Sequence, residues 1–195
     1  MRGGAGARLA VAWLPFAVTL VLARGRRVHQ WEHAATRRLN QLPEALNYPL
    51  WVVMQTGTAG APVVAGGVAL AAGRPALARR LTTSGIVSYL LAKGVKRVVR
   101  RGRPGDLVPG VMIRGRPATG DGYVSGHAAV SMALASEVVG LLPAVARLLP
   151  VAGASTVAVA RVYVGAHLPL DALGGAALGW AVSRTGRELE RAFNG

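Results

Sequence analysis

The sequence has no cysteine, so the chain can form no disulfide, carry no thiolate nucleophile and hold no sulfur-ligated metal. Acidic residues are scarce, eight Asp and Glu against 23 Lys and Arg. Aromatic residues make up only 5% of the chain and charged residues 16%, where soluble domains carry roughly a quarter charged residues. With few aromatics for base stacking, and basic residues alternating with long apolar runs, nucleic acid is a poor partner despite a formal net charge of +15. What is present is apolar: 52% hydrophobic residues, a mean hydropathy of +0.37 and 26 glycines. Such a chain of 195 residues reads as one membrane-embedded domain, residues 1–195. Its basic loops would meet anionic headgroups or a phosphorylated substrate.

Six apolar segments stand out, at about Ala7–Ala23, Leu50–Ala72, Leu81–Val99, Ala128–Leu142, Leu148–Val164 and Leu170–Val182. Several fall short of the ~20 residues that cross a bilayer, which points to helices partly sheltered by one another. Abundant Gly and Ala suit close helix packing in lipid. The expected fold is therefore all-α, an integral membrane bundle of about six transmembrane helices. The polar stretch between the first two segments reads as an interfacial helix and loop. The first segment also loosely resembles a cleaved leader, with Arg2 and Arg8 ahead of its apolar core, but that core exceeds the usual ~7–15 residues.

Three polar clusters interrupt this pattern. In "KGVKRVVRRGRP", Lys96 and Arg103 are seven residues apart, two helical turns, so one helix face could present both, with Arg100 between them and Pro104 ending the helix. A basic collar reaching for headgroups is the plainer account. In "YVSGHAA", Ser125 is a natural N-cap, and the N–H groups of Gly126 and His127 would be free to bind an anion; a capped helix with an incidental histidine is the alternative. In "ARVYVGAHLPLDALGG", Arg161 sits near the end of an apolar segment, where an unpaired charge is costly. His167 and Asp171 are four apart, behind a proline suited to a helix start. A carboxylate there would fix the tautomer of the imidazole and stabilise its protonated form; a helix-terminal ion pair is the alternative.

Taken together the clusters resemble the three-part signature of the type 2 phosphatidic acid phosphatase (PAP2) superfamily: K-x6-RP, then PSGH, then SR-x5-H-x3-D. Here these read Lys96 to Arg103-Pro104, Val124-Ser125-Gly126-His127, and Ala160-Arg161 to His167 to Asp171. Val124 stands for the family's proline and Ala160 for its serine, a phosphate-contacting hydroxyl, so one donor is missing. The resemblance covers roughly residues 50–182. It implies a metal-independent phosphatase with no cofactor, working through a phosphohistidine. His167 would be the nucleophile, oriented by Asp171, and His127 the acid for the leaving group. Lys96, Arg103, Ser125, Gly126 and Arg161 would bind the phosphoryl oxygens. So much positive charge argues against a divalent metal at His127, His167 and Asp171.

The implied substrate is a lipid phosphate. A polyprenyl (undecaprenyl-type) diphosphate is favoured, with phosphatidic acid and phosphatidylglycerol phosphate as alternatives. A vanadium haloperoxidase shares the anion-binding signature but is soluble and larger. A silent binding or transport protein would be expected to lose His127 or His167. Two lysines among 23 basic residues, with much Ala and Gly, suit a GC-rich bacterium and hence a bacterial plasma membrane. Six spans with a cytoplasmic N-terminus place the three motifs on the outer face. The arginine count supports this only when the basic run Lys93–Arg116 is set aside for catalysis. Arg2, Arg74, Arg79, Arg80, Arg147, Arg184, Arg187 and Arg191 then lie inside, against Arg24, Arg26, Arg27, Arg37 and Arg38 outside.

Overall fold

A computed structural model describes residues 3–25 and 27–194; Arg2 and Arg26 of the charge count lie outside them. Nine α-helices are found among the described residues: α1 Gly3–Arg24, α2 Gln30–Asn40, α3 Asn47–Met54, α4 Ala61–Ala71, α5 Pro75–Val99, α6 Pro104–Leu107, α7 Gly126–Val139, α8 Leu148–Tyr163 and α9 Pro169–Asn194. No strand occurs there, and the all-α expectation holds.

Helix α7 is the centre of the bundle. It packs against α5, α8, α9 and α4, and apart from His127 and Glu137 near its ends it is apolar or small: Ala128, Ala129, Val130, Ser131, Ala133 and Ala135 are all buried. Its tightest neighbour is α9, and glycine is the reason. A Cβ at Gly175 would strike the Ser125 carbonyl oxygen, and one at Gly179 the Ala129 carbonyl oxygen. Two glycines four residues apart thus let the two backbones touch. Helix α1 lies along α9, buries Ala12, Phe16 and Ala23, and is tied by Trp13 Nε1 donating to Thr185 Oγ1 at 3.0 Å. Around the outside, Val11, Leu14, Val64, Val68, Val98 and Leu148 are all exposed, an apolar surface that belongs in lipid.

All six expected segments fold as helices, with two corrections. Leu50–Ala72 is not one rod. Its two halves, Glu44–Gly57 and Ala61–Ala71, are bent by 72°; α3 packs on α8 while α4 turns away to pair with α5. The sixth helix runs beyond Val182 to Asn194, because its last turns exchange charges with neighbours, as in Arg8–Glu188 and Arg79–Glu190, both 2.8 Å. By length and apolarity, Gly4–Arg24 and Ala144–Tyr163 can cross a membrane, and the bent pair makes up to a third. Of the rest, α5 and α9 carry arginines within their 25 and 26 residues, and α7, of 14 residues, is sheltered by its neighbours.

The α7–α9 contact yields a first prediction. Gly179→Ala should destabilise the protein by about 1–3 kcal/mol, read as a lower melting temperature in detergent micelles. An unchanged melting temperature would mean that the two backbones are not in contact.

Candidate active site

The end of α5, the starts of α7 and α9, the end of α8 and the loop 119–125 come together on one side of the bundle. Among the first-turn donors of α7, the N–H of Ala128 is taken by Ser125 Oγ at 3.4 Å, the expected N-cap. The N–H groups of Gly126 and His127 have no partner within the helix, as at every helix start. Gly57 presses on this turn from the bend before α4: a Cβ there would lie 2.5 Å from the His127 carbonyl oxygen.

Lys96 and Arg103 do meet here, but not on one helix face. Helix α5 ends at Val99, Arg100 turns the chain in a left-handed conformation at φ 51, and Arg103 reaches the site from an extended segment. Arg100 itself is exposed and caps the carbonyl of Arg97. Pro104 begins a short helix instead of ending one, as suits its preset φ at a first helical position.

Both cations are held by main-chain carbonyls. Lys96 Nζ donates to the carbonyls of Asp121 at 2.9 Å and Gly122 at 3.1 Å. Arg103 donates to those of Gly120 at 2.7 Å, Thr119 at 2.8 Å and Ala166 at 2.6 Å. Burial draws the Arg103 guanidinium below its ordinary pKa, with Asp171, Asp121 and Asp106 pulling it back up. The side chain of Arg161, half-buried near the end of α8, has the Met54 sulfur at 3.7 Å as its one hydrogen-bond partner among the described residues. Lys96, Arg161, Arg103 and His127 all lie within electrostatic reach of His167. Among the described residues, no carboxylate lies at hydrogen-bond distance from Lys96, Arg103 or Arg161.

His167 is 3% exposed, just ahead of α9. Its Nδ1 is 3.8 Å from Asp171 Oδ2 and has no other partner among the described residues. So the expected pair is adjacent, at more than hydrogen-bond length. Asp171 is held mainly by other groups. Its Oδ2 accepts from the Leu168 N–H at 2.9 Å, capping its own helix, and its Oδ1 accepts from Arg101 at 2.9 Å.

Arg101 and Glu32 are site residues that the motifs did not single out. Both are fully buried. Arg101 forks onto Glu32 at 3.1 and 2.6 Å, while also reaching Asp171 and the Arg27 carbonyl. Burial penalises its charge, but Glu32 and Asp171 more than compensate, and its pKa is raised. Glu32 further accepts from the Leu170 N–H at 3.2 Å and the His29 N–H at 3.1 Å. Helix α2, expected to be interfacial, thus supplies a buried carboxylate to the foot of α9. Nothing in one sequence separates Arg101 from its basic neighbours; the only cue for Glu32 is an acidic residue in a strongly basic stretch.

The two departures from the signature also take their places. Val124 is fully buried in the central apolar cluster with Tyr123 and Leu170. Ala160 is fully buried against Met54 and Tyr163, so an apolar contact fills the position of the missing hydroxyl.

Among known proteins, the chain matches the model of the PAP2 superfamily over residues 77–190. No curated protein matches it. Its fold is similar to that of a transmembrane PAP2-type phosphatidylglycerolphosphate phosphatase from Bacillus subtilis, with a TM-score of 0.76 and 19% identity over 94% of this chain and 97% of that one. It is also similar to LpxE from Aquifex aeolicus, with a TM-score of 0.70 and 20% identity over 80% of this chain and 92% of the other. The family match encloses all three motifs together with the side chains gathered around His167, and the chain accordingly belongs to the PAP2 superfamily.

Proposed function

We propose that the protein hydrolyses the phosphate or diphosphate of a membrane lipid through a phosphohistidine on His167. The observation that carries this reading is three cations beside two imidazoles, two of them held by neutral carbonyls and the third, Arg161, by the Met54 sulfur. Lys96, Arg103 and Arg161 keep their charge for an anion, and the free N–H groups at the start of α7 add donors to the same place.

The chemistry follows from these positions. With Nδ1 turned to Asp171, His167 presents Nε2 to phosphorus. An N–P bond forms as the P–O bond to the lipid breaks, and protonated His127 gives its proton to the leaving oxygen. The phosphorylated ring carries positive charge beside Asp171. Water then attacks phosphorus, its proton passes to His127, the N–P bond breaks, and phosphate leaves with His167 restored. The cations stabilise the transferring group in both steps.

A lipid substrate is supported by an apolar groove of about 940 Å³ between α4, α5, α7 and α8. It runs from Gln55 and Thr56, beside the His127 turn, past Val64, Leu81 and Leu134 to Val138. Such a groove has no use in a soluble haloperoxidase-like enzyme, and both imidazoles would be superfluous in a silent binding protein. We favour a polyprenyl (undecaprenyl-type) diphosphate over phosphatidic acid or phosphatidylglycerol phosphate, on the short loops and the exposed apolar walls. We place the protein in a bacterial plasma membrane with both termini cytoplasmic and the site facing outward, on the eight-to-five arginine count.

The central test is phosphate release from a panel of lipid phosphates by purified protein. Turnover should vanish in His167→Ala and fall by ~10²–10⁴-fold in His127→Ala, and it should survive EDTA. Wild-type rates in His167→Ala would refute the mechanism, and a polyprenyl diphosphate ranking below both phospholipids would refute the substrate preference.

A site shaped for a five-coordinate phosphoryl group should bind vanadate more tightly than phosphate. Equal inhibition constants on one substrate would count against the assigned cradle.

Orientation is tested with single cysteines in this cysteine-free chain. Thr119 is exposed in the site loop, and Val145, 91% exposed, lies in the α7–α8 turn at the far end of α7. An impermeant thiol reagent on intact cells or spheroplasts should label position 119 and spare 145; the reverse pattern would invert the orientation.

A further inference from the structure

Resting on the proposed role of His167, we infer that Glu32 and Arg101 are positioning residues that set the charge which Asp171 presents to the nucleophile. Alone, Arg101 would neutralise Asp171: its guanidinium donates to Oδ1 at 2.9 Å with no exposure to water. Glu32 prevents this by accepting from Nη2 at 2.6 Å and by sharing Nη1 with Asp171, at 3.1 Å. The formal charges are then −1 for Glu32, −1 for Asp171 and +1 for Arg101, leaving −1 on a fully buried trio. The outlet for that charge is Asp171 Oδ2, whose one hydrogen bond among the described residues is from Leu168 N–H and which lies 3.8 Å from His167 Nδ1. Phosphorylation makes the His167 ring cationic among Lys96, Arg103 and Arg161, so the surplus negative charge lowers the barrier to that step. It touches neither the lipid nor its phosphate. Glu32 also aims the nucleophile: its bond from the Leu170 N–H caps α9 from another helix, one residue from Asp171.

The charge account separates from a merely structural one in full-length variants, each checked for folding by thermal melting in micelles. The readout is the rate of phosphoenzyme formation after rapid quenching, beside KM. Glu32→Gln brings the trio to zero charge. It should slow phosphorylation by about 10–100-fold, as loss of an outer partner of a working histidine does at metal sites, with KM within about twofold because the cradle is untouched. Combining it with Arg101→Gln restores −1 and should recover most of the lost rate. If the pair only braces the fold, the double variant will be slower than the single one, and that result overturns the inference. Should Glu32→Gln not fold, the comparison passes to the double variant: phosphorylation within about tenfold of wild type supports the charge account, and a folded double variant as inactive as His167→Ala overturns it. Wild-type enzyme that traps a phosphoryl group no faster than Glu32→Gln removes this inference alone. Wild-type enzyme that traps none, or an active His167→Ala, removes the nucleophile assignment as well.

Discussion

A guanidinium with no access to water has to be satisfied by its surroundings, and at Arg101 the surroundings are assembled from three separated parts of the chain. Glu32 comes from α2, Asp171 from the first turn of α9 and the Arg27 carbonyl from the segment after α1. Removing one partner from such a buried pair costs about 3–5 kcal/mol, so the three segments are committed to one arrangement. The commitment extends further, because the Asp171 carbonyl accepts from Ser125 N–H at 2.9 Å and the Arg101 carbonyl from Gly122 N–H at 2.6 Å. Those bonds fix the start of α7 relative to the start of α9, and hence His127 relative to His167. The close approach of α7 to α9 through Gly175 and Gly179 then carries this geometry down the bundle.

The segments and the motif residues could be read from the sequence because each leaves a local trace. Apolar runs mark the helices, Ser125 marks a cap, and the four-residue spacing of His167 and Asp171 marks a helix start. Relations across the chain leave no such trace. The break at Gln55–Gly57 does leave a local cue, in Gln55, Thr56, Gly57, Thr58, Gly60 and Pro62, but its 72° bend depends on a contact of Gly57 with a helix start about seventy residues away, which no local pattern shows. The two-turn spacing of Lys96 and Arg103 gave a correct meeting for a wrong reason: the helix ends at Val99, and the loop delivers Arg103. Glu32 was out of sight because α2 looks amphipathic and polar by itself. Its buried face is polar too, with Glu32, Thr36 and Asn40 turned inward, and hydrophobic patterning does not register that. Asn40 shows the same logic, donating to the Met112 and Tyr163 carbonyls and accepting from Met112 N–H.

The kind of partner each cation has divides the basic residues of the site into two groups. Arg101 is held by two carboxylates, which cancel its charge and leave it a fastener. Lys96 and Arg103 are held by carbonyl dipoles, which fix position and leave the charge uncancelled, so the field of both reaches outward. Four of those five carbonyls belong to consecutive residues, Thr119, Gly120, Asp121 and Gly122. That loop can turn its oxygens one way because Gly120 adopts φ 71 and because Gly122 has no Cβ to strike the Gly102 carbonyl or Asp171. Three residues later the same strand of chain enters α7, where it offers N–H groups instead. One short segment therefore presents acceptors first and donors next: the acceptors hold the cations, and the donors stand free beside them at the start of the helix. An anion bound there would meet cations and amides fixed by one stretch of backbone, so little reorganisation would be needed when charge develops on it.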